Sequence, residues 1–176
     1  MRKSLLLVLV LAGSASLAFG QAQPPTDPLT AGTKPPYNAV KGYITKAADQ
    51  VPEAMYGYKA TPEVRSFGQL FGHIADSNYQ FCSVALAEKI PVENIEKTKT
   101  TKADLVKAVA DSFAYCDKAF AGLTDANAAT MVNFFGRQMA KLPVLAWNTA
   151  HNYDHYGNIV TYMRLNKMVP PSSQPR

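Results

Sequence analysis

The sequence predicts an all-α fold, a four-helix bundle, on three observations. Four stretches carry apolar side chains at three- and four-residue spacing, proline or polar segments separate them, and no alternating apolar and polar run offers a convincing set of strand partners. Each helix drawn this way has one apolar stripe and needs neighbours to cover it, which a bundle supplies. There is no internal repeat.

The chain opens with Met1-Arg2-Lys3, an unbroken apolar run from Leu5 to Ala12, and small residues up to Gly20. That is the three-part pattern of a secretory signal, and the run is far shorter than the ~20 residues of a spanning helix. Residues 1–20 therefore read as a signal peptide cleaved after Gly20 or Ala22, with no stable membrane insertion afterwards, and the protein as exported, periplasmic or secreted. Losing Arg2 and Lys3 removes two of the 18 basic side chains, so part of the formal net charge of +5 belongs to targeting. The remaining lysines are scattered apart from Lys97, Lys99 and Lys102, with no aromatic residues interleaved, which argues against a nucleic-acid partner.

What remains is the size of one domain. Residues 21–36 hold Pro24, Pro25, Pro28, Pro35 and Pro36 with little apolar surface, and read as a flexible leader. Residues 37–173 form the bundle domain. Tyr37, Val40, Ile44, Ala47, Ala48 and Val51 share a face of the first helix, which Pro52 closes. Pro62, at a first-turn position, opens the second helix, which runs to about Glu88 with Phe67, Leu70, Ile74, Phe81 and Ala85 as its stripe. After the break from Pro91 to Thr100, Thr101 three residues before Asp104 resembles a cap for a third helix carrying Leu105, Val109, Phe113 and Phe120 and ending near Gly122. Residues 129–142 lack a clear period and suggest a short extended excursion. Pro143 suits the first turn of a fourth helix reaching about Asn166, and Pro170 and Pro171 forbid its continuation.

The chain has three histidines. His151 and His155 stand one turn apart on nearly the same face of the fourth helix, a face shared with Val144, Asn148, Asn158 and Tyr162 and so expected to point inward, and both imidazoles reach one point. His73 lies at the flank of the second helix's stripe and looks across a bundle groove. Three neutral imidazoles from two helices make a nitrogen-rich site for a divalent ion, zinc or nickel, that leaves coordination positions open. Asn152 stands in H-N-Y-D-H where metalloproteases place a glutamate base, which excludes that class. Asp76 and Asp154 are each three residues beyond a ligand candidate, within reach to orient an imidazole or accept a proton, with a solvated surface position as the commoner alternative.

Cys82 and Cys116 are the only cysteines, and in an exported chain an even count points to a disulfide. Cys82 sits ~180° around its helix from His73, away from the metal site. The two cysteines lie at comparable depths in their helices, so a bridge between them requires parallel neighbours. The connection from Lys89 to Thr101 must then cross the length of the bundle.

The segments F-G-Q-L-F-G-H-I-A-D around His73, H-N-Y-D-H-Y-G-N at His151 and His155, and the closing M-R-L-N-K-M-V-P-P-S-S together resemble the DinB and YfiT-like superfamily of small four-helix metalloenzymes, over nearly all of residues 37–173. The resemblance implies an up-down-down-up bundle with a long crossover between helices two and three, and a metal held by one histidine of the second helix and two of the fourth, here His73, His151 and His155. Where the family usually has glutamine three residues after the last histidine, this chain has Asn158, a shorter amide behind the site. Some relatives are thiol-dependent transferases or isomerases, an activity that fits poorly with export. The family name implies no DNA-binding role.

The function expected is that of a divalent-metal-dependent enzyme, hydrolase or transferase, acting on a small-molecule substrate that the sequence does not name. The alternative is a non-catalytic metal-binding or interaction protein whose ion is structural. Either is compatible with a homodimer.

Overall fold

A computed structural model describes residues 26–175. The proposed signal peptide and the first part of the leader lie outside the described residues. The elements in order are α1 (Pro28–Ala31), α2 (Lys34–Gln50), a 3-10 turn, α3 (Phe67–Leu86), α4 (Ile95–Thr98), α5 (Lys102–Ala121), a hairpin of β1 (Met131–Phe134) and β2 (Arg137–Ala140), α6 (Lys141–Leu165), and a closing 3-10 turn at Pro171–Ser173. The four long helices α2, α3, α5 and α6 make the bundle.

The prolines before α2 do not mark a loose leader as far as Pro36. Pro35 and Pro36 occupy the first turn of α2, where a missing N–H breaks no helical hydrogen bond. Ahead of them, the Asp125 carboxylate accepts from the backbone N–H of Leu29 at 3.1 Å and of Thr30 at 2.8 Å, and Asp27 accepts from the Asp125 N–H at 2.8 Å. This reciprocal clasp ties residues 27–30 to the loop after α5, with Thr30 buried. The leader reading therefore fails from Asp27 onward.

Helix α2 buries the stripe expected of it, and Tyr37 sets its direction. Its ring stacks on Phe120 with centroids 3.8 Å apart, and its hydroxyl donates to Asp117 at 2.8 Å. The start of α2 thus meets the end of α5, so the two run antiparallel.

Helix α3 begins at Phe67, five residues after Pro62. Ser66 accepts from the Gln69 N–H at 3.2 Å while the Gln69 side chain accepts from the Ser66 N–H at 2.9 Å, a reciprocal cap stronger than a lone proline signal. It ends on Ala87 in the left-handed region. Thr101 caps α5 as its sequence suggests, accepting from the Asp104 N–H at 3.2 Å.

Three contacts climb α3 and α5 in step: Gly68 against Leu105, the Asn78 amide donating to the Ser112 hydroxyl at 3.1 Å, and the Cys82–Cys116 disulfide with Cα atoms 5.2 Å apart. The two helices are parallel, and the crossover that carries α4 returns the chain along the bundle. Helix α6 descends against α3, since Tyr162 donates to the Arg65 carbonyl at 2.9 Å while Asn148 and Asn152 both donate to the Asn78 carboxamide oxygen at 2.8 and 2.9 Å. The arrangement is up-down-down-up. These buried amide and hydroxyl bonds inside an apolar core fix the register of three helices at once, although the Asn152 carboxamide oxygen has no partner there. It also gives Asn152 a role in the core, facing Asn78 instead of the histidines.

The extended excursion is a two-stranded antiparallel hairpin in which Phe134 pairs with Arg137. Phe135 and Gly136 make its turn, both at positive φ, and Phe134 stacks on Phe81 of α3 with centroids 5.5 Å apart.

Candidate metal centre

Antiparallel packing of α3 on α6 brings His73 opposite His151 and His155. The His73 Nε2 atom lies 3.2 Å from His151 Nε2, and His155 Nε2 lies 3.1 Å from the same atom. All three offer a ligand atom within 4.8 Å of the others, and they are the only such cluster among the described residues. His151 stands between its two partners and rests on Phe81, whose ring centroid is 5.5 Å from its own.

The expected surroundings of the histidines are partly redrawn. Asp76 touches no imidazole: its carboxylate accepts from the backbone N–H of Ile95 at 2.8 Å and of Glu96 at 2.9 Å, and so holds α4 against α3. One turn earlier, Gly72 makes that approach feasible, because a Cβ there would stand 2.6 Å from the Glu96 Cα. The residue placed behind an imidazole is Glu96 itself. One of its oxygens lies 3.2 Å from His73 Nδ1, and the other accepts from Arg65 Nε at 2.9 Å. Asp76 makes no hydrogen bond to His73 and positions the backbone of Glu96, while its charge adds a smaller upward pull on the His73 pKa. Asp154 is exposed, and Asn158, also exposed, donates to the Asp154 carbonyl at 3.2 Å on the groove wall beside His155. Cys82 is bonded to Cys116 between α3 and α5 and takes no part in the cluster.

Glu96 and Arg65 were missed at the sequence level. The one local hint was Ile95, an isolated apolar residue in the polar crossover, which is buried against the bundle and anchors α4.

Electrostatics keep the three rings neutral. Burial, followed by the mutual repulsion of the would-be imidazolium charges and the Arg65 cation, pushes His151 down to about 3. Burial and the His73 charge push His155 down to about 4, against a smaller opposing pull from Asp154. His73 is lowered chiefly by burial and by Arg65, with Glu96 opposing. At neutral pH the site therefore presents uncharged imidazoles, the form that binds metals.

The donor set fits a divalent ion. A carboxylate at Nδ1 fixes that nitrogen of His73 as the protonated one and leaves the Nε2 lone pair facing the centre. The other two Nε2 atoms face the same point, and no placement of a single proton satisfies three converging lone pairs. Three nitrogens each ~2.0–2.1 Å from a tetrahedral zinc ion stand roughly 3.3 Å apart; the contacts here are 3.1 and 3.2 Å. The Nδ1 atoms of His151 and His155 are buried without a protein partner, so His73 alone has a carboxylate behind it.

The cluster is not sealed. His155 opens onto a groove of about 550 Å³ whose walls include Lys59, Arg65, Gln69, Glu96 and Asn158.

Comparison with known proteins agrees with this architecture. A DinB-like protein from Bacillus cereus ATCC 10987 superposes with a TM-score of 0.71 at 18% identity, covering 80% of this chain and 95% of its own. A DinB-like protein from Bacillus subtilis gives 0.66 at 19% identity, with 82% and 99% covered. A variant of the mycothiol-dependent maleylpyruvate isomerase gives 0.59 at 13% identity, with 76% and 65% covered. No curated protein matches the sequence. The DinB superfamily profile matches residues 17–159, most of the chain, and the protein belongs to that superfamily.

Proposed function

We propose that the protein is a divalent-metal-dependent enzyme, a hydrolase or transferase of a small molecule, with His73, His151 and His155 as ligands. The observation that carries this reading is the convergence of three neutral imidazole nitrogens at the edge of an open groove. The ion supplies a Lewis acid there. The protein's own residues orient His73 through Glu96, hold the imidazoles neutral, and line the groove that admits a substrate. Imidazole donors without thiolates suit zinc or nickel.

We also propose that the protein is exported, which the Cys82–Cys116 bridge supports because a disulfide fits an oxidising compartment. The activity proposed for this chain accordingly does not use the mycothiol of the isomerase.

The test uses protein reconstituted with cobalt(II) and titrated with azide. A catalytic site with open positions gives a saturable change in the visible d–d bands. Bands that azide leaves untouched indicate a closed shell and favour the rival reading, a structural ion. In a second experiment, Glu96→Gln is expected to weaken zinc binding by about tenfold or more with helix content unchanged, because it removes the charge that polarises His73; competition against a chelating dye measures it.

A further inference from the structure

We infer that the groove selects a carboxylate-bearing small molecule, with Arg65 as the residue that takes the carboxylate. This inference deepens the metal-dependent reading and rests on it in part.

The first support is how Arg65 is held. Its backbone carbonyl accepts from Tyr162, and its Nε donates to Glu96 at 2.9 Å, so both ends of the side chain are fixed. The two terminal nitrogens hydrogen-bond to no described residue, and the side chain is 40% exposed on the groove wall. A guanidinium restrained at Nε and open at its other nitrogens presents a planar fork, the geometry that pairs with a carboxylate through two parallel hydrogen bonds.

The second support is charge balance. Along the groove Lys59 and Arg65 are opposed by Glu63 and Glu96, and these charges cancel. Three neutral imidazoles contribute nothing to offset a divalent ion, so the loaded site carries an uncompensated double positive charge. A polar but uncharged substrate would leave that charge unmet, whereas an anion meets it.

The third support is position. Glu96 bridges Arg65 and His73, and His155 and Arg65 line the same groove. A molecule of a few carbons with its carboxylate on Arg65 therefore places a second polar group at the histidine cluster.

The experiment titrates succinate and its neutral diamide, succinamide, into zinc-loaded and metal-free protein, following the backbone amide resonances of Gln69 and Asn158. Succinate is expected to bind zinc-loaded protein at least ~10-fold more tightly than succinamide, since its bonds to Arg65 are charge-assisted. Arg65→Gln should erase most of that preference, and Arg65→Lys should restore only part, because an ammonium lacks the fork. In metal-free protein succinate should bind more weakly but keep its dependence on Arg65. Equal succinate affinity in wild type and Arg65→Gln, or no succinate binding in either form, overturns the inference. A failure of the metal reading shows differently: zinc does not bind, while the metal-free arm still reports the effect of Arg65.

Discussion

Replacing His151 by alanine is expected to abolish stoichiometric zinc binding while leaving the metal-free bundle folded. His151 is the hub of the cluster, the one imidazole with Nε2 within 3.2 Å of both others. Without it, His73 and His155 supply two donors from different helices, and the site is no better than many surface pairs. Loss of a residue behind a ligand already costs about 10- to 100-fold in affinity, so loss of the central ligand should exceed ~100-fold by the same measure. The fold should survive because the α3–α6 register is fixed one turn away by Asn78, Asn148 and Asn152, and by Tyr162 on Arg65. Removing an imidazole that burial already disfavours in its charged form also relieves the metal-free protein below neutral pH. Calorimetric zinc titration and far-ultraviolet circular dichroism check the two halves separately. A variant that keeps tight zinc would show that the ion is held elsewhere.

The second large effect concerns stability. Replacing both Cys82 and Cys116 by alanine is expected to cost about 4 kcal/mol, from the loop-closure entropy of a bridge spanning a sequence separation of 34. For a domain of this size that corresponds to a melting point lower by roughly 10 °C. Both cysteines are fully buried, so the loss is not softened by exposure to solvent. Zinc affinity should change little, because the bridge joins α3 to α5 and the histidines lie on α3 and α6. Urea unfolding with and without reductant measures the first effect, and the zinc titration the second. Coupled loss of both would mean that α5 positions the site more directly than these contacts indicate.

How far the sequence foretold this molecule differs from element to element. Helices α2 and α5 were legible because their stripes are regular and, as with Thr101 before α5, their ends carry local signals, whereas α6, whose buried face includes Asn148, Asn152 and His155, was legible from the prolines that bound it. The start of α3 was misplaced because Pro62 imitates a first-turn proline, while the effective signal, Ser66 with Gln69, is a pair that needs both members noticed. The leader was misread in part because proline is helix-breaking in an interior and helix-compatible in a first turn, and Pro35 and Pro36 are of the second kind. Its anchoring through Asp125 joins residues 95 and more positions apart, which no local pattern reveals. Chain direction, by contrast, followed from two cysteines, since a bridge at matching depths demands parallel helices and a crossover.

At the site, three histidines were visible through residue type and spacing. Asp76 drew attention by standing three residues from His73, but its carboxylate reaches the backbone of α4. Glu96, which does reach His73, is 23 positions further along the chain and arrives there only because Gly72 lets the crossover lie against α3. Arg65 enters the site through Glu96 in turn. Such residues become legible only when the path of the connection is known.

Elemental analysis of the protein purified without a histidine tag decides whether the three histidines hold a divalent ion. The expected result is about one zinc or nickel ion per chain, removable by chelator, and none in His151→Ala. Protein isolated without metal that also fails to take up zinc when it is offered, or a His151→Ala variant that keeps a full equivalent, would contradict it.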